Sequence, residues 1–320
     1  MIKKFAEDIY WLDLPMNGPI YNVNCYLIKG GGRPLLVDTG CDTKECREKM
    51  LEYLAELKVE RGDMDIFLTH GHVDHIGQVA FLAGPETTVY ISEEDYLMAQ
   101  KLTDLEYWED IERYFICNGW PADSSYTFFS RTYRQLKEFG FGSNVRFVRD
   151  GDIINACGRQ FQTLLTPGHT KAHMSLWDKS NNMVFVGDLI VDGVYPTLYY
   201  RERGLDMFNL YQKSLETIKG TGASILFSGH KEPICDTVKS CEKALRNYRK
   251  IGDRVFERLN AQSSDAFTLT QNIYMKNWQF YPLRKKWFCM ASVLSCLESF
   301  LLNGQVQRTC ENGKNVFSLL

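Results

Sequence analysis

Thr69-His70-Gly71-His72-Val73-Asp74-His75-Ile76-Gly77 places three imidazoles and a carboxylate within six residues, directly after the apolar run Ile66-Phe67-Leu68. Imidazole nitrogen and carboxylate oxygen are donors that zinc and iron take readily. In a strand-to-helix turn, His70 and His72 can lie side by side on one metal ion. Asp74 and His75, in the first turn of the following helix, can then face a second ion a few ångströms away. The whole chain has six histidines, so half of them fall in this one stretch.

Further metal-ligand residue types sit where other apolar runs stop. His169 follows Leu165-Thr166-Pro167-Gly168, a strand ending in a Pro-Gly turn, and His230 follows Ile225-Leu226-Phe227-Ser228-Gly229. Asp188 closes the run Met183-Val184-Phe185-Val186-Gly187. In α/β sheets the carboxyl ends of strands are where sites are built. His173 lies one helical turn or two strand steps beyond His169 and reads as a structural residue beside that loop. Tyr195 and Tyr199, soon after Asp188, are candidates for polarising a substrate carbonyl.

Over residues 1 to about 232 the chain resembles the metallo-β-lactamase-fold hydrolases, motif by motif. An early strand ends in aspartate (Leu36-Val37-Asp38-Thr39-Gly40), and the His-x-His-x-Asp-His block, a Gly-His, a Gly-Asp and a final Gly-His follow in the family's order. The resemblance implies a four-layer αβ/βα sandwich of the glyoxalase II-like type. It implies a first metal on His70, His72 and His169, and a second on Asp74, His75 and His230, with Asp188 bridging the two. Asp38 would support the ligand loop from behind. No ligand position is missing. Two divalent ions follow, zinc first, with iron or manganese accepted according to supply.

Such a pair of ions activates water and polarises the oxygen that gains charge during attack, so no serine or cysteine nucleophile is needed. The chain has no Gly-x-Ser-x-Gly elbow and no Walker loop. Asp74 or Asp188 would take a proton from the water or return one to the leaving group. The expected reaction is hydrolysis of a small ester, thioester or lactone. The alternatives are phosphodiester cleavage of nucleic acid, a non-catalytic effector on the same fold, and iron redox chemistry. A flavodoxin-like domain, which the flavodiiron version of that last alternative would carry, is missing.

Composition agrees with an ordinary globular enzyme: 320 residues, 44% hydrophobic and 24% charged, long enough for one large domain and an appendage. No apolar run approaches the ~18 residues of a membrane span, and the first residues lack a signal-peptide core, so the expectation is a cytoplasmic protein without membrane contact. The ten cysteines are scattered without a Cys-x-x-Cys pair, as expected of thiols in a reducing compartment.

Apolar alternation predicts strands at Ile9 to Leu14, Val23 to Lys29, Leu35 to Asp38 and Ile66 to Thr69, with Gly30-Gly31-Gly32 as a hairpin turn. Helical spacing follows Thr43 through Leu57. A second β-rich half is expected from Val145 to Val148, Phe161 to Leu165, Met174 to Trp177, Met183 to Gly187 and Ile225 to Ser228. Between the halves, about 93–142, an acidic and aromatic stretch breaks at Asn118-Gly119-Trp120-Pro121 and reads as an inserted helical lid. Its aromatics either wall an apolar substrate pocket or pack the insertion, with packing expected for most of them.

The catalytic domain is placed at 1–232 and a mainly helical C-terminal domain at 233–320. From Thr237, Val238, Cys241, Leu245, Tyr248, Ile251, Val255 and Leu259 recur at three or four residues, an amphipathic helix flanked by a Lys239-Lys243-Arg246-Lys250-Arg254 stripe. The remainder, two more helices and a small hairpin, loosely resembles the winged-helix-type appendage of a superfamily branch that includes endoribonucleases. Packing on the sandwich or a dimer contact is the preferred role for it.

Residues 231–320 hold 14 Lys/Arg against 8 Asp/Glu, a net +6; with 37 and 40 in the whole chain, residues 1–230 keep 23 and 32, a net −9. An acidic catalytic half repels polyanions, so a small-molecule substrate is favoured over nucleic acid. Single-stranded RNA is therefore expected to bind weakly and to be cut no faster than by metal-stripped protein. Efficient cleavage, with charge reversal of the basic stripe removing both binding and its steep salt dependence, would replace the ester-type reading by the nuclease one.

Overall fold

The computed structural model describes residues 2–6, 8–16, 22–122, 140–141, 144–194, 197–198 and 204–320. They divide into two compact units. The first comprises residues 1–100, 138–196 and 214–241, and the second comprises 101–137, 197–213 and 242–320. The chain thus passes between units five times, rather than once near Glu232-Pro233.

The first unit is built on two sheets. The seven-stranded sheet runs in chain order: β1 (Lys3–Ala6), β2 (Ile9–Pro15), β3 (Asn22–Ile28), β4 (Leu35–Val37), β5 (Asp65–Phe67), β6 (Val89–Ile91) and β7 (Val145–Phe147). β1 to β4 pair antiparallel, and β4 to β7 pair parallel. The glycine hairpin joins β3 to β4, with Gly32 at φ +95°, a value that favours glycine.

The five-stranded sheet holds β8 (Ile153–Ala156), β9 (Arg159–Leu165), β10 (Met174–Asp178), β11 (Met183–Gly187) and β12 (Ile225–Ser228). Its strands pair antiparallel from β8 to β11, and β12 joins β11 in parallel. Val145–Phe147 belongs to the first sheet, not the second as its sequence position suggested. The strand that opens the second sheet is Ile153–Ala156.

Period-two alternation explains the layering. On β3, Val23, Cys25 and Leu27 point to one apolar cluster while Tyr26 and Ile28 point to another. The first cluster lies between the seven-stranded sheet and a helical layer. That layer includes α1 (Lys44–Glu56) and the short α2 (Val73–Ile76) and α3 (Val79–Leu82). Thr43 caps α1 by accepting from the Cys46 amide, and Cys46, Met50, Tyr53 and Leu54 form its buried stripe. The second cluster is the seam between the sheets, where Tyr26, Phe67, Phe161, Leu176, Phe185 and Phe227 meet. Phe185 and Phe227 stack at 4.8 Å, and Tyr26 leans on both. The architecture is the four-layer αβ/βα sandwich expected from the sequence.

A buried amide joins the sheets. Asn24 on β3 donates through Nδ2 to the carbonyls of Ser228 (2.9 Å) and Lys231 (2.6 Å), and its Oδ1 accepts from Trp11 Nε1 and Asn22 Nδ2, both at 2.8 Å. Its backbone amide donates to Gly229 O at 2.7 Å.

Helix α4 (Glu93–Lys101) follows β6, and α5 (Leu105–Cys117) ends at Asn118-Gly119, with Gly119 at φ +98°. Helix α6 (Met207–Gly220) precedes β12, and the 25-residue α7 (Thr237–Ala261) carries the predicted amphipathic pattern, with Cys241, Tyr248, Ile251, Val255 and Leu259 buried. In the second unit, α8 (Ala266–Ile273) and α9 (Leu283–Leu302) precede the hairpin β13 (Val306–Glu311) and β14 (Lys314–Leu319). Its two-residue Asn312-Gly313 turn has both residues at positive φ, the preferred hairpin chemistry.

Of the insertion's aromatics, Trp108, Phe115 and Trp120 are buried; Phe115 stacks on Trp287 at 3.5 Å, and Trp120 meets Phe267 edge-on. These three pack the second unit. Tyr126, Phe128, Phe129 and Tyr133 lie outside the described residues. The structure forms no disulfide among the described residues, and no described helix is long and apolar enough to cross a membrane.

The seam between the sheets is a continuous aromatic packing among the described residues of the first unit. Phe161→Ala is expected to cost about 3–5 kcal/mol in a urea unfolding titration, and a loss below about 1 kcal/mol would show that the seam relaxes around the missing ring.

Candidate metal centre

β4, β5, β6, β9, β11 and β12 all end at one edge of the sandwich, and each delivers polar residues there. Asp38 follows β4, His70 and His72 follow β5, His169 follows β9, Asp188 follows β11 and His230 follows β12. Asp74 and His75 occupy the one-turn helix α2, for which His72 is the N-cap. All seven residues predicted as ligands converge.

Three groups have ligand atoms within 4.8 Å of one another: His70, His72 and His169; His70, His75 and Asp188; Asp74, His75 and His230. In the first, His72 Nδ1 lies 3.0 Å from His70 Nε2 and 2.8 Å from His169 Nε2. In the third, His230 Nε2 and His75 Nε2 lie 3.6 and 4.0 Å from Asp74 Oδ2. Asp188 reaches both sides, with Oδ2 at 3.5 Å from His169 and 3.3 Å from His230, and Oδ1 at 3.6 Å from His75. With metal–nitrogen bonds of about 2.0–2.1 Å, neighbouring tetrahedral ligands stand roughly 3.3 Å apart, inside this range.

The backs of three imidazoles are spoken for. His75 Nδ1 bonds Asp38 Oδ2 at 2.8 Å, and His230 Nδ1 donates to Asn22 O at 2.6 Å. The Thr69 hydroxyl donates to Asp38 (2.9 Å) and so accepts from His70 Nδ1 at 3.0 Å. Each bond fixes a tautomer that leaves Nε2 turned into the cluster with its lone pair available. Asp38 also accepts from the Thr69 amide at 2.8 Å.

Electrostatics reinforce the grouping. Burial, and then the neighbouring imidazoles, push His70 well below its ordinary value, leaving it neutral as a ligand must be. Burial opposes charge on His75, but Asp38, Asp188 and Asp74 outweigh it and raise the imidazole to about 10. Burial likewise opposes ionisation of Asp188, yet His230 and His75 hold it well below the usual carboxylate range. The cluster attracts positive charge at its centre. A cation also matches a deficit in hydrogen bonding among the ligand residues: His75 Nε2 and Asp188 Oδ1 are buried without a hydrogen-bond partner and lie 3.6 Å apart. The residues present fit a divalent metal.

Close approach demands glycine at several positions around the site. A side chain at Gly187 (φ +46°) would strike Thr69 Oγ1 and His173 Nε2, and one at Gly229 would strike Asp188 Oδ1 and His75. His173 stacks on His70 at 5.3 Å, bonds Thr166 Oγ1 through Nδ1, and is held down to about 3 by burial. It is a neutral packing residue, as expected. Tyr195 and Tyr199 lie outside the described residues.

Sequence reasoning missed Asp95, Thr69 and Asn22. Asp95 is buried at the start of α4 and bonded to both ligand loops. Burial pushes its carboxyl up to about 6 despite hydrogen bonds from Thr170, Gly71 and Ser92. The signal was its place just beyond the end of β6, the one site-edge strand for which no polar residue was proposed.

Comparison with known proteins agrees with this geometry. A metallo-hydrolase of Bacillus subtilis (strain 168), named as probable, is 26% identical over 279 residues, covering 84% of this chain and 86% of that protein. An acyl-coenzyme A thioesterase of Homo sapiens is 23% identical over 199 residues, covering 60% of this chain and 66% of that protein. The crystal structure of a metallo-beta-lactamase family protein from Thermus thermophilus superposes with a TM-score of 0.85 at 24% identity, covering 99% of this chain and all of that one. The model of the metallo-beta-lactamase superfamily matches residues 18–230, the span that holds every strand and ligand of the site, and the chain belongs to that superfamily.

Proposed function

We propose that the chain is a dinuclear metal-dependent hydrolase of a small ester or thioester. The observation that carries this reading is the pair His75 Nε2 and Asp188 Oδ1, buried, unbonded and 3.6 Å apart within the ligand cluster. His70, His72 and His169 would hold one divalent ion and Asp74, His75 and His230 the other, with Asp188 between them. Zinc suits this nitrogen and oxygen set, as iron and manganese do. Two ions so placed supply Lewis acidity and bring the pKa of water toward neutrality.

The chain's own residues orient and move protons. Asp38, Asn22 and Thr69 hold three imidazoles with Nε2 inward. Asp188 is nearly enclosed and serves to position. Asp74, with 21% of its side chain exposed, is the carboxylate that meets solvent, and it takes the proton from the attacking water and returns it to the leaving group. A thiolate leaves with less proton assistance than an alkoxide because a thiol, with a pKa of about 8.5, is far more acidic than an alcohol, so one partly exposed carboxylate suffices. The thioester preference is supported by the acyl-coenzyme A thioesterase among the relatives. The net −9 of residues 1–230 supports a small substrate over a polyanion.

Protein purified without chelator is expected to approach two metal ions per chain by elemental analysis. It should release thiol from a short acyl thioester, measured with a thiol-reactive dye. Stripping the metal and His72→Ala should each remove turnover, and zinc should restore it only to the stripped parent. Undiminished turnover by metal-free protein would overturn the reading, and metal-dependent cleavage of RNA with no thioester turnover would replace the substrate class.

A further inference from the structure

Asp95 is a buried carboxylate that the proposed chemistry does not use. It is 2% exposed and sits at the third position of α4, preceded by Ser92-Glu93-Glu94. That spacing is a capping-box sequence, and the Asp95 amide does donate to Ser92 Oγ at 3.4 Å. A capping box, however, turns its carboxylate back to the backbone N–H of the cap residue. Here the carboxylate goes elsewhere. Oδ1 accepts from the Gly71 amide at 3.2 Å, and Oδ2 accepts from the Thr170 hydroxyl at 2.9 Å and from Ser92 Oγ at 3.2 Å.

The two outside partners have a common property. Gly71 is the residue between His70 and His72, and Thr170 immediately follows His169. One carboxylate therefore bridges the loop of the first sheet that carries two imidazoles and the loop of the second sheet that carries the third. Thr170 is fully buried, so its hydroxyl depends on this acceptor within the protein. A second observation is independent of the hydrogen bonds: a side chain at Gly71 would strike the Asp95 carbonyl oxygen, 2.4 Å away, and the Met98 methyl at 3.1 Å. The histidine loop thus lies directly on the first turn of α4, with backbone and carboxylate of the same residue against it. The third group is served differently, since His75 rests on Asp38 and His230 on Asn22.

We propose that Asp95 is the positioning residue of the His70, His72 and His169 group, setting the separation of its two loops, while the Asp74, His75 and His230 group is held independently of it. The inference rests on the metal-site reading above. Outer partners of metal ligands contribute about 10- to 100-fold in affinity, and the loss should be confined to one group.

The test is zinc binding by stripped full-length protein, measured by competition with a chromophoric chelator. Two backgrounds isolate the groups: His75→Ala keeps the first intact, and His169→Ala keeps the third. Asp95→Ala is expected to weaken zinc about 10- to 100-fold in the His75→Ala background and by no more than about 2-fold in the His169→Ala background. Thr170→Val, which removes only one donor and keeps the shape, should give a smaller loss with the same asymmetry. It carries the test alone if circular dichroism shows Asp95→Ala unfolded. Asp95→Asn should recover most of the affinity, because its Oδ1 still accepts from Gly71 and its amide can donate to the Thr170 oxygen. Equal losses in both backgrounds, or none in the first, would make Asp95 a helix cap only and overturn the proposal. Failure of the stripped parent itself to bind zinc would remove the metal reading and the proposal together.

Discussion

The carboxylate of Asp38 gathers the Thr69 amide, the Thr69 hydroxyl and His75 Nδ1 at 2.8 to 2.9 Å, and the orientation of the cluster descends from it. Burying a carboxylate is costly unless several donors replace its water. Because the Thr69 hydroxyl is committed to Asp38, it can only accept from His70, and that bond in turn decides which nitrogen of His70 faces the site. One anion at the end of β4 therefore sets two rings on a neighbouring loop. The geometry is relayed through protons, not through bulk packing.

The same cluster concentrates conformational cost. Asp38 takes φ +58° and Gly187 φ +46°, backbone states that cost energy for most side chains. Aspartate tolerates the left-handed region better than most residues because its short side chain finds local partners. Gly187 and Gly229 admit no Cβ without striking Thr69 or Asp188. Crowded imidazoles, convergent carboxylates and strained turns persist together because rigid strands of both sheets end at the same edge and deliver them there.

Much of the site was legible in the sequence because metal-ligand residue types are rare and their spacing at strand ends is local. The His-x-His-x-Asp-His block, His169, Asp188 and His230 announced themselves in that way. Sheet membership did not. Val145–Phe147 alternates like any strand, and nothing local says whether its partner is β6 or the next hairpin; pairing is decided by contacts far apart in sequence. Asp95 looked like a helix-start residue, since a capping-box spacing describes the helix and not what crosses it. The aromatics of the insertion offered two readings, and packing is what Trp108, Phe115 and Trp120 do: all three are buried, the last two against Trp287 of α9 and Trp120 also against Phe267 of α8. The grouping of 101–137 with the C-terminal helices could not be read from a pattern that sees only neighbours along the chain.

Asn24 has a consequence that concerns uniqueness more than strength. Two apolar sheet faces attract without direction, so several sliding alignments of the sandwich would bury nearly the same area. The Asn24 side chain uses all four of its hydrogen-bonding positions, two of them on carbonyls at the end of β12 and just past it. A shift of either sheet by one pleat would leave those groups buried and unpaired, a penalty of about 1–3 kcal/mol for each. The amide thus breaks the degeneracy of an otherwise greasy interface. A substitution there that merely preserved volume would leave the halves of the sandwich attracted to each other but without a unique registration.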